Sequence, residues 1–422
     1  MEEAIRMRNV YIVGSYSSKF TKSPHLSHKD LVREAYLGAL ADSGIESVAE
    51  IESAWFGNCL MDMWGQQCIR GQVCFTPLIQ EGLFPERIPI INVEGGCATA
   101  SIAFQGAWKD VVSGQHHVSL AVGVEKLFIP NDREKMFRQY EAGIDQLDPG
   151  EWQATYERAG EVVGRPFRPE PDRTMFMDTY AMQALYHMQK YGTTQRQIAV
   201  GAAKNHTFGA HNEKAQYQFE MSVDDVLADR PVTFPLTRAM CAPVGDGAAA
   251  AILCSEEYLV NLPREARERA VLVAGCGMSS GKYRGFDEPS LSKVAADRAY
   301  LMAGITPGEI DVAEVHDATS FSEIYQAEML GFCPIGEGGT LVESGETMLE
   351  GRIPINTSGG LVSKGHPVGA TGLSMIDELV IQLRGEAGPR QVKNAGFALK
   401  ENGGGVVGLE EAACSVVILK RT

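Results

Sequence analysis

The sequence predicts an α/β protein made of two pseudo-symmetric halves, and two observations carry this prediction. The segments INVEGGCATASIAFQGAWKDVVSGQ and INTSGGLVSKGHPVGATGLSMIDELVIQLRG each run from a strand through a Gly-Gly turn into a small-residue stretch and a helix, and they align without a gap from the Asn to the Gly-Gly pair. The strand VYIVGSY also resembles VLVAGCG, and each is followed by an amphipathic helix, a Gly-Ile break and another strand. A duplicated unit of this length favours one pseudo-symmetric domain over a short-repeat solenoid.

In the first half, the apolar residues Ile90, Ile91 and Val93 predict a buried strand, and the stretch 98–112 predicts a helix. The two glycines between them form a tight turn that places Cys97 at the start of the helix. We expect the helix dipole to lower the pKa of this thiol there, and free backbone N–H groups to stabilise an oxyanion. The alternative is a buried structural cysteine, which is the expected state of most of the nine cysteines.

A charged and aromatic insertion, 128–177, breaks the symmetry of the two halves. It mixes helical patches with a tail rich in Pro and Arg. A surface excursion is one interpretation of such a segment. We place the N-terminal half at 1–267, with this insertion included, and the C-terminal half at 268–422.

In the second half, His366 lies a few residues beyond the place that Cys97 occupies in the first. Two-fold symmetry places the two strand-to-helix elbows next to each other, so Cys97 and His366 are expected to meet. A Cys and a His from opposite halves make a nucleophile–base pair.

The composition is typical of a cytoplasmic enzyme. The chain has 422 residues, 44% of them apolar, and a net charge of −16. That charge argues against a nucleic-acid partner, and no apolar run is long enough to span a membrane. The odd number of cysteines, without a CxxC pair, argues against both a disulfide framework and a zinc site, so we expect no metal in this chain.

Several motifs are similar to those of the thiolase superfamily: GGCATA, DGAAAAIL, HDATSF, GHPVGATG and the terminal GGG. The helix that begins near Asp178, together with the HD pair, resembles the sterol-carrier-protein-2 branch. This resemblance covers nearly the whole chain. It implies the thiolase fold, with two halves in a five-layered αβαβα arrangement and an inserted loop domain. It also implies thiolytic cleavage of a β-ketoacyl-CoA, or the reverse condensation, with coenzyme A as co-substrate.

The resemblance also implies roles for single residues. Cys97 attacks the ketone as the nucleophile, His366 activates it, and His316 holds a water or a carbonyl. Cys97, His366 and the glycine turn at Gly405 contribute to the oxyanion holes. Two roles stay open for Asp317: catalysis, or a cap of the helix that starts at Thr319 or Ser320. Phe137, Tyr140, Trp152 and Tyr156 of the insertion are candidates for an acyl pocket.

We expect the phosphates of coenzyme A to be bound by local basic residues, because the net charge is negative. Gly277 and Ser279 are the candidate contacts of coenzyme A in the C-terminal half.

The sequence departs from the thiolase pattern at the second cysteine. The two positions where thiolases carry it are occupied by Ala318 and by the pair Lys400 and Glu401. The proton donor is therefore unassigned, with Glu401 or one of the histidines as substitutes. Two other classes stay open: a CoA-ester retro-aldolase, and a non-catalytic acyl-CoA-binding or scaffold subunit.

This departure resembles the two-subunit thiolases of the same branch. The resemblance implies a homodimeric core and a small OB-fold partner subunit that carries a zinc ribbon. It also implies an aromatic acyl substrate such as benzoylsuccinyl-CoA, which would give benzoyl-CoA and succinyl-CoA.

Overall fold

A computed structural model describes residues 8–422, and its helices and strands follow the duplicated pattern. The first elements in chain order are β1 (Val10–Ser17), α1 (His28–Ser43), β2 (Ser53–Gly57), α2 (Arg70–Gln80), β3 (Ile90–Val93), α3 (Thr99–Val112) and β4 (Val118–Lys126). They are followed by α4 (Arg133–Arg138), α5 (Pro149–Val162), α6 (Met175–Tyr191), α7 (Gln195–Ala210), α8 (Val223–Ala228), β5 (Pro231–Thr233), β6 (Leu236–Thr237), β7 (Asp246–Ser255), α9 (Glu256–Leu259) and α10 (Arg264–Arg269). The last are β8 (Val271–Ser280), α11 (Leu291–Ala303), β9 (Val312–Glu314), α12 (Ser320–Met329), α13 (Gly338–Glu343), α14 (Gly360–Lys364), α15 (Thr371–Arg384), β10 (Phe397–Gly404) and β11 (Ala413–Arg421).

Nine strands form one sheet in the order β3-β2-β4-β7-β1-β8-β11-β10-β9. The pairings on its two sides match: β2 is parallel to β4 as β9 is to β10, and the strands nearer the centre are antiparallel. A parallel bridge between Ala313 and Ile355 takes the place of the β2–β3 pairing. The two sides join where Tyr11 and Ile12 of β1 pair with β8. The hydrogen-bond pattern therefore confirms the duplication.

Alternating side chains of β7 show how the layers form. Successive residues of a strand point to opposite faces. Ala248 and Ala250 accordingly pack in an outer core with α1 and α2, while Ala249 and Ala251 pack in a middle core with α3 and α15. A third core joins α11 and α12 to the other side of the sheet. These helix, sheet, helix, sheet and helix layers confirm the predicted five-layered arrangement.

The helices α3 and α15 position the site, because they share the middle core between the two parts of the sheet. Leu373, Ile376 and Leu379 of α15 are fully buried there. Full burial of such a side chain contributes about 1.5–3 kcal/mol. The first turns of both helices are therefore fixed relative to each other.

The connection from β4 to β7 runs through 127–245, whereas its counterpart from β10 to β11 runs only through 405–412. The predicted insertion, 128–177, contains α4, α5 and the first residues of α6. Trp152 and Tyr156 pack edge to face with Phe167 in a separate small core rather than in a cavity. Among the helices within residues 8–422, none has the length and apolar character needed to cross a membrane.

Candidate active site

Two strand-to-helix elbows meet at one end of the middle layer. In the first, β3 ends at Val93, a single 3-10 turn spans Gly96–Ala98, and α3 follows at Thr99. In the second, α14 ends at Lys364 and α15 begins at Thr371, with His366 in the loop between them. Since α3 and α15 pack side by side, Cys97 and His366 lie at the same end of the layer.

The structure brings Cys97, His316 and His366 into one cluster. The Cys97 sulfur and one nitrogen of each imidazole all lie within 4.8 Å of one another. The two Nε2 atoms of the histidines are 3.5 Å apart. His316 enters from the loop after β9, and both rings are buried.

A hydrogen-bond chain sets the tautomer of His366. The hydroxyl of Thr371 donates to the Pro367 carbonyl at 3.0 Å, so it accepts a hydrogen bond from Nδ1–H of His366 at 2.8 Å. The Nε2 atom of His366 is then left with a lone pair that faces the cluster. As a neutral ring, His366 can accept a proton there, and it offers an N–H to the cavity only after it has done so.

Both imidazoles are neutral at neutral pH. Burial lowers the pKa of His316 to about 4. Burial holds the pKa of His366 well below its ordinary value of 6.5. Repulsion between the two rings when both are protonated is the second cause. Two neutral rings beside a thiol are a proton-accepting environment.

The predicted lowering of the Cys97 pKa is wrong. Burial, with a smaller contribution from the nearby Glu411, raises the pKa of this thiol to about 12. The backbone N–H groups of Cys97 and Gly405 act in the opposite direction, but the loss of hydration outweighs them. The thiol is therefore protonated in the substrate-free site, and it needs a base at the moment of attack.

The same two N–H groups are directed at the Cys97 sulfur, because glycines allow two backbone segments to touch. A Cβ at Gly404 would lie 2.5 Å from the backbone nitrogen of Cys97, and one at Gly96 would lie 2.4 Å from that of Gly405. Gly96 and Gly405 also have φ values of 57° and 66°, a region that favours glycine. Any side chain at Gly404 or Gly96 would push the two N–H donors apart.

Glu401 lies behind the site rather than in it. Its carboxylate accepts the backbone N–H of His316 at 3.0 Å and the hydroxyl of Ser292 at 3.2 Å. Burial, with a contribution from Glu411, raises the pKa of Glu401 to about 7. Lys400 faces the middle layer, where it donates to serine hydroxyls. Neither residue lines a cavity at Cys97.

The expected helix cap at Asp317 is wrong as well. α12 begins at Ser320 after Thr319, and Asp317 makes its hydrogen bonds elsewhere. It accepts the N–H of Leu361 at 2.6 Å and the side-chain amide of Asn205 at 2.9 Å. Asp317 therefore ties the His316 loop to the segment that leads to His366.

Two cavities meet at Cys97. The first has a volume of about 390 Å³ and contains both histidines, Ala318 and Phe137 in its wall. Its rim is basic. The cations that line this cavity are Lys22, Arg133, Arg173, Arg230 and Arg238. We call it the basic cavity.

The second cavity, of about 400 Å³, also reaches Cys97, and we call it the apolar cavity. Most of its wall is aliphatic, aromatic or glycine. The larger apolar and aromatic side chains are Leu60, Tyr140, Ile144, Phe176, Tyr283, Val368, Val406 and Val407. Tyr140 and Phe176 line both cavities, so two of the aromatic residues of the 128–177 segment separate them.

The predicted coenzyme A contacts in the C-terminal half lie elsewhere. Gly277 packs against α11, where a Cβ would come within 2.1 Å of the Ala295 carbonyl. Ser279 pairs with Cys414 inside the sheet. Neither lines the basic or the apolar cavity, so their assignment stays a prediction that the cavities do not support.

Two features of the site are missed by sequence reasoning. The rim cations come from four separate segments, and only folding brings them together. Cys59, one of the cysteines that we expect from sequence to be structural or incidental, lies in the wall of the apolar cavity, with its sulfur 3.1 Å from the Gly96 carbonyl and 2.8 Å from the Thr99 hydroxyl. It braces the turn that carries Cys97.

A duplicated five-layered α/β fold with a Cys-His-His cluster between its halves defines the class of coenzyme A-dependent acyltransferases. The family models for the thiolase N-terminal domain and the thiolase C-terminal domain-like region match residues 10–233 and 288–421. The chain belongs to the thiolase family, whose members use coenzyme A as co-substrate and need no metal.

Known relatives span almost the whole chain. It is 36% identical to the acetyl-CoA acetyltransferase of Methanothermobacter thermautotrophicus, over 95% of this chain and 98% of that protein. It is also 36% identical to human sterol carrier protein 2, over 98% of this chain and 74% of that protein. Among solved structures, the Ltp2-ChsH2(DUF35) aldolase matches with a TM-score of 0.75 at 22% identity, over 99% of both chains. At that identity the match supports the fold alone.

Proposed function

We propose that this thiolase-family acyltransferase cleaves a β-ketoacyl-CoA through an acyl-enzyme on Cys97. The observation that carries the proposal is the cluster itself, in which the Cys97 sulfur and the two imidazole nitrogens lie within 4.8 Å of one another. A thiol, a base oriented by a third group and two backbone N–H donors are what acyl transfer requires.

In the first half-reaction, Nε2 of His366 takes the proton of the Cys97 thiol as the sulfur attacks the keto carbon. The N–H groups of Cys97 and Gly405 stabilise the alkoxide; one such donor contributes about 3 kcal/mol. Cleavage of the carbon–carbon bond leaves an acyl group on Cys97 and an enolate of the departing thioester. His316 donates to the enolate oxygen.

The proton that His366 has taken from Cys97 is then available for the α-carbon of the enolate. This cycle needs no second cysteine, which agrees with Ala318 and Glu401 at the positions where other thiolases carry one. In the second half-reaction, His366 takes the proton of the coenzyme A thiol, whose sulfur attacks the acyl-enzyme. The acyl-CoA leaves, and the proton returns to Cys97.

The rim of the basic cavity is our proposed site for the phosphates of coenzyme A. Lys22, Arg133 and Arg230 are exposed and, within residues 8–422, form no ion pair with an acidic side chain. Exposed cations without an acidic partner keep their positive charge available for phosphate groups. We therefore assign coenzyme A to this rim rather than to Gly277 and Ser279.

For the acyl group we propose an aromatic ring, as in benzoylsuccinyl-CoA, which would give benzoyl-CoA and succinyl-CoA. The aromatic side chains of Tyr140, Phe176 and Tyr283 beside Cys97 support this substrate. Rings pack edge to face or offset with such side chains.

We further propose a homodimeric core with a small zinc-ribbon partner, in a cytoplasmic setting. β3 is an edge strand of the sheet, and its residues Ile90, Ile91 and Val93 are only partly buried, which suits pairing with a second copy. The Ltp2-ChsH2(DUF35) aldolase is named for two components, which supports a partner subunit here.

Light scattering on the chain alone should give a dimer, and co-expression with the partner should add mass and zinc together. A fully active monomer would contradict this assembly.

The proposal is tested by thiolysis kinetics on two matched cysteine variants. Parallel double-reciprocal lines are expected when β-ketoacyl-CoA and coenzyme A are varied, because an acyl-enzyme gives ping-pong kinetics. Cys97→Ser should abolish turnover, whereas Cys68→Ser, which changes an exposed thiol in the same way, should leave it unchanged. Carbon–carbon cleavage that persists in Cys97→Ser without consumption of coenzyme A would instead indicate a retro-aldolase.

A further inference from the structure

We propose that the apolar cavity binds the acyl group, and that it selects bulky uncharged acyl groups against those that end in a carboxylate. This inference rests on the proposed acyl-enzyme at Cys97. It adds the chemical class of acyl group that the site accepts and the wall that selects it.

The first step is the position of the two cavities relative to the nucleophile. Cys97 and Gly405 belong to the walls of both. A substrate whose reacting carbon lies at Cys97 can therefore extend into either cavity. If the basic rim binds the phosphates of coenzyme A, the apolar cavity is the space left for the acyl group.

The second step is size. The apolar cavity, at about 400 Å³, is as large as the basic one. Both volumes fall in the range of cavities that bury small organic ligands. An acetyl group would leave most of this space unfilled, whereas an aryl or long aliphatic group can contact Val368 and Val407 in the wall.

The third step is charge. Neither lysine nor arginine lines the apolar cavity within the described part of the chain, and its charged residues are Glu94 and Asp145, which are both exposed. A carboxylate at the end of the acyl group would lose its hydration in this apolar cavity. It would also be repelled by Glu94 and Asp145, with no lysine or arginine among the described residues of the wall to pair with. The cavity is therefore expected to discriminate against such acyl groups.

The test uses the second half-reaction in reverse. Acyl-CoA transfers its acyl group to Cys97 and releases coenzyme A, so the mass of the chain rises by that of the acyl group in exchange for one hydrogen. We compare acetyl-CoA, benzoyl-CoA and succinyl-CoA by the rate of this mass change. Benzoyl transfer should be at least about ten times faster than succinyl transfer.

Two variants test the wall. Val407→Trp should fill the apolar cavity and lower the ratio of benzoyl to acetyl transfer by at least about tenfold. Glu94→Lys combined with Asp145→Lys, which changes only exposed side chains, should raise succinyl transfer relative to benzoyl transfer. Arg133→Ala, on the rim of the basic cavity, is the matched control and should slow all three donors alike.

The outcomes distinguish failure of the acyl-enzyme at Cys97 from failure of selection by the apolar cavity. If none of the three donors labels Cys97, the proposed function fails. If Cys97 is labelled but succinyl transfer equals benzoyl transfer, or if the Val407→Trp and Lys variants leave the ratios of wild type, the apolar cavity is not the selecting site and this inference is overturned.

Discussion

At the scale of single residues, the site combines a protonated thiol with a neutral base. The thiolate of Cys97 is disfavoured by the same burial that keeps His366 uncharged. Proton transfer from sulfur to nitrogen therefore costs free energy in the empty site. When substrate is bound, this free-energy cost is offset, because the N–H groups of Cys97 and Gly405 donate hydrogen bonds to the alkoxide that forms.

Alkylation of Cys97 by iodoacetamide should rise steadily with pH. With its pKa raised to about 12, the thiol loses its proton only in strongly alkaline solution, and the thiolate fraction grows about tenfold per pH unit below that value. Peptide mass spectrometry between pH 7 and 10 measures the rate, and the exposed Cys68 should be labelled faster than Cys97 at pH 7. A rate for Cys97 that levels off below pH 8 would indicate a stable thiolate–imidazolium pair instead.

Replacement of the histidines should separate their roles. His366→Ala is expected to reduce turnover by about 10²–10⁴, because it removes the base. His316→Ala should also be damaging, and His316→Asn should recover part of the activity, because an amide still donates a hydrogen bond. His211→Ala, which changes a histidine on the surface, serves as the control. An Asn variant as inactive as the Ala variant would exclude the donor role of His316.

The pH profile gives the same residues a second test. Both rings accept protons only in their neutral form, and their pKa values are lowered, that of His316 to about 4. As pH falls from 8 to 5.5, neither ring gains a proton, whereas Glu401, with its pKa raised to about 7, does. In Glu401→Gln, which lacks this carboxyl group, kcat/KM should therefore not decline through the ordinary histidine range. A decline centred near 6.5 in that variant would show that substrate-free His366 is exposed to water.

At the scale of elements, the loop after β9 and the strand β10 act together. Glu401, within β10, accepts the backbone N–H of His316, and Asp317 accepts the backbone N–H of Leu361 in the segment before His366. These contacts fix two imidazoles that come from separate loops. Glu401 is in this sense a positioning residue.

Substitution of Glu401 should therefore depend on whether an acceptor remains. Glu401→Gln keeps an oxygen for the His316 N–H and should lower kcat only about threefold. Glu401→Ala leaves this buried N–H unpaired, which costs about 1–3 kcal/mol, and kcat should fall by about tenfold or more with little change in KM. A Gln variant as inactive as the Ala variant would assign the proton transfer to the carboxyl group itself.

The two elbows could be predicted from sequence because glycines, apolar strands and small-residue helices recur in both copies. The contacts that set the pKa values and the charge around these elbows could not be predicted from sequence. The pKa of Cys97 depends on how completely the fold removes water, and the fold also packs Glu411 beside it. The rim cations could not be grouped either, since Lys22, Arg133 and Arg230 are far apart in the chain.

At the scale of the whole molecule, the duplication creates the site. Each half contributes an elbow, and the shared middle layer places Cys97 of one against His316 and His366 of the other. The long connection 127–245 exists in one half alone and supplies Tyr140, Phe176 and most of the basic rim. The two related halves thus supply Cys97, His316 and His366. The connection 127–245, which is long in one half alone, supplies walls that contact substrate.

The most direct test of the account is the intact mass of the protein after mixing with β-ketoacyl-CoA in the absence of coenzyme A. The account predicts a single adduct with the mass of the acyl group, located on Cys97 by peptide mapping, absent in Cys97→Ser and removed when coenzyme A is added. Turnover of the substrate without any adduct on Cys97, or an adduct that coenzyme A does not remove, would contradict it.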